Sequence, residues 1–287
     1  MLIWLVFQLS LVSSTWTLGI FIPLYVGPGS SSTCSGWSRV ITSISANSQT
    51  PFYSIVNPND GPGDHGSQPS EAFRRCIPLL RPRSDAVVLG HIDTGDKSMS
   101  NVQAEIDTYA GWDSSYRPTG IFFDGVASEA SLFSQYRTHA TYARGKGFNF
   151  IGLDPGEMPD SGYFGIADLV NVYESSYASF NVDENVDNSS STPVSKQSVW
   201  LTEAPTEGSY SAVISQLAKK GVAAAYISNL REDESGIPSQ WTSFAADVGR
   251  VNGDSGRSAS PTTNLTVDPS QTSYSGTSNT GVHILCL

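Results

Sequence analysis

The sequence predicts a single-domain (β/α)8 barrel, and three observations predict it. Eight short apolar runs recur along the 287-residue chain. Segments of helical periodicity separate most of them. The runs are nearly continuous in hydrophobicity, as expected of parallel strands covered on both faces. Strands alternating with helices imply a parallel sheet, and eight strands close a barrel. The rival architecture is an open doubly wound sheet, and its phosphate-binding signature is missing. After the first run the chain reads YVGPGSSSTC, with no G-x-G-x-x-G, and no P-loop occurs elsewhere.

Each element follows from its own pattern. The first strand is GIFIPLYV (19–26), followed by a helix over 35–46 with Trp37, Val40, Ile41 and Ile44 at helical spacing. PFYSIVN (51–57) comes second, then a helix over 70–80 that opens on Ser70 and Glu71, an N-cap pattern. DAVVLGHI (85–92) comes third, ahead of a helix over 100–112 with Val102, Ile106, Tyr109 and Ala110 on one face. GIFFDGV (120–126) precedes a longer helix over 128–146, closed by Gly147. FNFIGLDP (148–155) and ADLVNVYE (167–174) lie close together, with room between them for a loop or one helical turn. A polar, Ser-rich excursion over 181–195 leads to QSVWLTEA (197–204). The next helix, over 209–220, ends at Gly221 with Lys219 and Lys220 favouring its C-terminus. VAAAYISNL (222–230) is the eighth strand, and a helix over 240–251 closes the series.

The ends of the chain differ in composition. Residues 1–14, MLIWLVFQLSLVSS, read as a secretory signal with Val12 and Ser14 suited to the cleavage site, although a basic start is missing. The alternative is a first strand preceded by an apolar tail. The stretch is too short for a membrane span of about 20 residues. The barrel domain is expected over 15–252. From Gly253 the chain turns to Ser, Thr, Gly, Asn and Pro, and a flexible tail is expected over 253–287.

Net charge is −11 and the pI about 4.7, which argues against nucleic acid as a partner. Sequons at Asn188 and Asn264 are compatible with glycosylation of a secreted or wall-associated protein. An oxidising compartment would permit a bridge between Cys34 and Cys76; three free thiols, with Cys286, are the alternative. A monomer is expected.

In such a barrel the reacting groups lie at the C-terminal ends of the strands. Those ends carry Tyr25, Asn57, His91 with Asp93, Asp124, Asp154, Glu174, Glu203 and Asn229. Asp124 and Glu174 end the runs IFFD and VNVYE. A carboxylate there has apolar neighbours, and its burial costs several kcal/mol unless compensated. Paired carboxyls are what glycoside hydrolysis requires, one protonated and one ionised. Tyr25, Phe123, Tyr163, Tyr173 and Tyr177 could stack on sugar rings or simply pack. His65, His91, His139 and His283 show no metal-ligand spacing, no G-x-S-x-G elbow occurs, and no cofactor is implied.

Several segments together resemble the spherulin-4-like family, which includes fungal hydrolases of galactosaminogalactan. They are IFIPLYV (20–26), SIVNPNDGPG (54–63), GHIDTGDKSMSNVQAEIDTYAGW (90–112), GIFFDG (120–125), LDPGEMP (153–159) and ADLVNVYE (167–174). The resemblance implies a (β/α)8 barrel and an activity like that of an endo-α-1,4-N-acetylgalactosaminidase. The family's fourth strand usually ends in Phe-x-Asp-Glu. Asp124 matches the acid there, but Gly125 stands in place of the Glu. Glu174 matches the family's sixth-strand Glu. Asp154 stands where Asn is usual, and His91 where Tyr is frequent. Glu129 is a candidate to replace the lost acid, or else lies on an exposed helix.

Three functions follow as expectations. The first is hydrolysis of an amino-sugar polysaccharide by Asp124 and Glu174, with Tyr25, Asn57, His91, Asp93, Asp154, Tyr173, Glu203 and Asn229 binding substrate. Glu174 would be the general acid, and Asp124 the nucleophile or the group that orients an N-acetyl substituent; the roles could be exchanged. The second is a carbohydrate-binding barrel without turnover, motivated by Gly125. The third is a wall or coat protein anchored by its tail. The acidic charge predicts a preference for partly deacetylated, cationic sugars.

Overall fold

The eight apolar runs form eight parallel strands that close into a ring. The computed structural model describes residues 17–231 and 234–257. In chain order the elements are β1 (Gly19–Leu24), α1 (Ser38–Ala46), β2 (Phe52–Val56), α2 (Glu71–Cys76), β3 (Ala86–Asp93), α3 (Met99–Ala110), β4 (Gly120–Asp124), α4 (Phe133–Gly145), β5 (Phe150–Leu153), β6 (Leu169–Ser176), α5 (Val182–Asn185), β7 (Gln197–Thr202), α6 (Ser211–Lys220), β8 (Ala224–Ile227) and α7 (Trp241–Arg257). Each strand pairs in parallel with the next, and β8 pairs with β1. This is the (β/α)8 architecture expected.

The helices lie where the apolar periodicity put them. Val40 and Ile44 of α1, Val102, Ile106 and Tyr109 of α3, and Ile214 and Leu217 of α6 are buried against the strands. Side chains three or four apart share a helical face, so one stripe from each helix covers the outer surface of the sheet. The connection from β5 to β6 is a single 3-10 turn, Ser161–Gly165. Inside the ring, Phe21, Phe122, Trp200 and Tyr226 fill the volume below the mouth. Phe21 lies 6.5 Å from Phe122 and 6.1 Å from both Trp200 and Tyr226, centroid to centroid. The barrel is therefore a packed core with its functional surface at one rim.

Two features depart from the expected boundaries. The helix after β2 holds α geometry only to Cys76 and tightens to 3-10 over Ile77–Leu80, because Pro78 cannot donate a backbone hydrogen bond. The last helix continues to Arg257, past the Gly253 start expected for a tail. Its anchor is polar. Asn252 is buried, donates to the Leu18 carbonyl at 2.9 Å and to Thr50 Oγ1 at 2.9 Å, and accepts from the Leu18 N–H at 3.0 Å. These bonds tie α7 to the entry of β1. A reading weighted on apolar residues ends the helix too early. The expected signal segment, the rest of the tail, and Asn264, His283 and Cys286 lie outside the described residues.

Cys34 and Cys76 form a disulfide across 42 residues of sequence, with their Cα atoms 5.7 Å apart. It joins the loop after β1 to the end of α2 beside Trp37 and Phe73, whose rings lie 5.4 Å apart. Closing a loop of that length restricts the unfolded chain by about 4 kcal/mol in the chain-entropy estimate. Reduction should therefore lower the urea midpoint of unfolding markedly; an unchanged midpoint after verified reduction would contradict this.

Candidate active site

The parallel register sets the site. Asp93 of β3 pairs with Asp124 of β4, and Phe123 pairs with Leu153, so Asp124 and Asp154 follow on adjacent strands at the same rim. The Asp154 N–H donates to the Phe123 carbonyl at 2.9 Å. On β6, the register slips between Asn171 and Tyr173. Strand side chains alternate with a period of two, so residues three apart ordinarily face opposite ways. The irregularity removes that conflict. Asn171 and Glu174 consequently reach the same place, with Asn171 Nδ2 at 3.4 Å from Glu174 Oε2.

Asp124 is held by three donors. Its Oδ2 accepts from the Tyr25 hydroxyl at 3.0 Å and lies 2.9 Å from His91 Nε2, and its Oδ1 accepts from the Gly125 N–H at 2.8 Å. Burial works against its ionisation. The His91 hydrogen bond and charge, with the Gly125 and Tyr25 bonds, outweigh burial and hold its carboxyl below the ordinary range. Tyr25 is pushed well above its usual value by burial and by the nearby carboxylates, so it remains a donor. His91 is positioned from behind. The Tyr109 hydroxyl donates to the His91 carbonyl at 3.1 Å. The Tyr109 ring fits only because Gly90 has no side chain; a Cβ there would meet the ring at 2.8 Å.

Asp154 is 3% exposed and has the opposite chemistry. Its Oδ1 accepts from Asn171 Nδ2 at 2.8 Å and from the Gly156 N–H at 3.1 Å. Burial, then the Asp124 charge, push its pKa up to about 8. Asp124, Asp154 and Glu174 line one open cavity of about 340 Å³ together with Gly125, Pro155, Gly156 and Glu157. A second lobe of about 370 Å³ shares Gly156, Glu157 and Glu174 and continues past Tyr173 to Glu184 and Asp187. Among the described residues, no lysine or arginine lines either lobe. Among the described residues, no group of three or more ligand-type side chains could hold a metal ion.

The expected site residues divide. Tyr25, His91, Asp124, Asp154 and Glu174 meet, and Tyr173 lines the second lobe. Three others bond within their own loops. Asn57 Oδ1 accepts from the Gly61 N–H at 2.7 Å, bracing the NPNDGPG loop. Asp93 Oδ1 accepts from the Gly95 N–H at 2.9 Å, and Asn229 Oδ1 accepts from the Ser239 N–H at 2.8 Å. Glu203 is exposed on a residue with φ 52° and lines neither lobe. Strand-end position alone does not distinguish a carboxyl or amide aimed into the mouth from one that closes its own turn. Phe123 and Tyr163 are core residues, as is His139, whose ring packs on Phe123 and Tyr136.

Glu129 is exposed outside the cavity. Glu157, three residues beyond Asp154, lines both lobes and accepts from Ser128 Oγ at 2.6 Å. Its position in LDPGEMP, just past a strand end, was the available signal. Gly125 has φ 60°, and a Cβ there would lie 2.9 Å from Asp93 Oδ1 and 3.2 Å from the Gly95 nitrogen. The backbone itself therefore disfavours an acid at this position.

The geometry defines a (β/α)8 barrel with a carboxyl-lined cleft at the C-terminal rim. The sequence profile of Spherulation-specific family 4 (Spherulin4) matches residues 19–248, and the chain belongs to that family. It is 30% identical over 164 residues to Spherulin-4 of Physarum polycephalum, a match covering 56% of this chain and 46% of that protein. The chain thus spans about half the length of that curated relative. The crystal structure of Aspergillus clavatus Sph3 in complex with GalNAc superposes with a TM-score of 0.69 at 25% identity, covering 81% of this chain and 98% of Sph3.

The left-handed backbone at Gly125 yields a direct prediction. Gly125→Ala should lower stability by about 1–2 kcal/mol, read from the denaturant midpoint. An unchanged midpoint would mean that the turn tolerates a side chain.

Proposed function

We propose that the protein is a secreted glycoside hydrolase acting on an amino-sugar polysaccharide of the galactosaminogalactan type, with endo-α-1,4-N-acetylgalactosaminidase-like specificity. The observation that carries this reading is the convergence of Asp124, Asp154 and Glu174 on one open cavity, with their environments set apart. A carboxylate held by three donors is a weak base and a stable anion. Asp124 accordingly suits the charge that develops at the anomeric carbon, or the orientation of an N-acetyl group. Glu174, at the junction of the two lobes, suits proton delivery to the leaving oxygen. The GalNAc bound by Sph3 supports an amino sugar as the recognised unit. The Cys34–Cys76 bridge and the exposed Asn188 sequon support an extracellular setting.

The second lobe extends the reading to substrate charge. Glu157, Glu174, Glu184 and Asp187 line it, and Tyr173 offers a partly exposed ring. Such a surface favours cationic, partly deacetylated stretches of chain over neutral ones. One observation favours a second reading, a lectin-like barrel that binds without cleaving: Gly125 leaves the fourth strand with one acid.

Incubating the purified protein with galactosaminogalactan, or with oligomers of graded deacetylation, separates the two. The hydrolase reading expects oligosaccharide products, a loss of at least about 100-fold in Glu174→Gln with binding retained, and weaker binding of deacetylated chains at high salt. Binding with no products from wild type, or equal products from Glu174→Gln, would favour the lectin reading.

A further inference from the structure

One titratable side chain takes no part in the cleft and sits directly behind it. His139 of α4 is fully buried. Its ring lies 5.9 Å from that of Phe123 on β4 and 6.1 Å from that of Tyr136, centroid to centroid. Neither ring nitrogen has a hydrogen-bonding partner among the described residues. Buried polar groups are ordinarily paired. An apolar ring would fill this place without leaving two polar atoms unpaired; what a histidine adds is a site that can take up a proton. The contacts of the ring lead to the rim. Phe123 immediately precedes Asp124. The Tyr136 hydroxyl accepts from the Ala127 N–H at 2.8 Å, which fastens the turn after Gly125. The Tyr136 ring also lies 5.7 Å from that of Tyr163 in the Ser161–Gly165 turn.

The titratable groups on the elements around α4 are engaged elsewhere. On β4, the Asp124 carboxyl is turned to Tyr25 and His91. On α3, Glu105 pairs with Lys97, and Asp107 is held by the Tyr142 hydroxyl and Lys146. In the Ser161–Gly165 turn, the Tyr163 hydroxyl donates to the Glu129 carbonyl, and Asp160 just before it accepts from the Gly162 N–H. The Ala130–Leu132 turn carries no titratable side chain. On α4 itself, Arg137 lies over the Phe133 ring and Arg144 pairs with Asp168. Burial is the one influence on His139, and it holds the imidazole below its ordinary pKa. A charge on this ring would be desolvated with no acceptor to compensate it.

We propose that His139 is an acid-sensitive latch: neutral, it seats α4 against β4 behind the rim, and its protonation releases that contact together with the turn that follows Asp124. The inference does not rest on the hydrolase reading. In the closed form the imidazole resists a proton because it is buried among rings. Once α4 lifts from β4, or the chain unfolds, the same imidazole is hydrated and takes up a proton at an ordinary value of about 6.5. Proton uptake therefore favours the opened form. The stability that depends on a neutral His139 is fully present above pH ~6.5. It is lost as pH falls from there through the lowered value of the folded state. Opening would free Tyr136 from Ala127 and loosen the segment that carries Asp124 and Gly125.

His139→Phe in the full chain tests this, because phenylalanine keeps a ring against Phe123 and Tyr136 without a titrating nitrogen. Every other group titrates in both proteins, so the difference between their unfolding curves isolates His139. The melting temperature of wild type relative to His139→Phe should be constant above pH ~6.5 and fall below it. The unfolding constant of wild type should gain up to about tenfold over the variant for each pH unit in that window. Parallel curves would overturn the proposal. Amide exchange, corrected for its intrinsic dependence on pH, locates the release. Between pH 6 and 5 the Ala127 amide should lose protection in wild type and keep it in His139→Phe; equal protection in the two proteins would overturn the link to the rim. Should His139→Phe not fold, the imidazole resonances of wild type decide. They should stay at their neutral positions at pH 6 while the protein remains folded, and titration of the folded protein at the value of a free imidazole would overturn the proposal.

Discussion

Three carboxyl groups meet at the mouth of this barrel with no lysine or arginine among the described residues lining their cavity, and that constraint organises the rest of the site. Each must be reconciled with burial by other means. Asp124 is satisfied by donors from three directions: a tyrosine from β1, a histidine from β3 and its own succeeding N–H. Asp154 accepts from an amide of β6 and from the turn at Gly156, while burial and the Asp124 charge push its pKa up to about 8. Glu174, between them, inherits its environment from both. The closed sheet makes this possible because five strands deliver side chains to one rim at fixed spacing. An open sheet would spread the same residues along an edge.

Much of the architecture was legible because its signals are local and repeated. Continuous β-branched and aromatic runs such as GIFIPL and AVVLGHI can be buried on both faces only in a parallel sheet, and the amphipathic segments between them supply the cover. The parts that were not legible depend on single polar contacts. Asn252 extends the last helix by bonding to Leu18 and Thr50, a pairing across 234 and 202 residues that no periodicity reveals. The slip on β6 that turns Glu174 toward Asn171 is equally silent in VNVYE. The strand-end rule picked out Tyr25, His91, Asp124, Asp154 and Glu174, which the structure brings together at one rim. It also admitted Asn57, Asp93 and Asn229, whose side chains close their own turns. Glu157 escaped it, because it lies four residues beyond the end of its strand.

Gly125 shows how a local backbone conformation constrains the rim of the barrel. Its left-handed φ and the approach of Asp93 disfavour a second acid directly after Asp124. The other acidic side chains lie across the cleft, at Asp154, Glu157 and Glu174, and continue outward along Glu184 and Asp187. The cleft is thereby asymmetric. One end is a donor-rich pocket around Asp124, and the other is lined by acidic side chains.

The most direct measurement is a crystal structure of Glu174→Gln soaked with an amino-sugar oligosaccharide. The expected density places a glycosidic oxygen against residue 174, the adjoining anomeric carbon or N-acetyl group against Asp124, and further sugars along Glu157 toward Asp187. Sugar bound elsewhere on the molecule, with water alone between Asp124 and residue 174, would contradict the account.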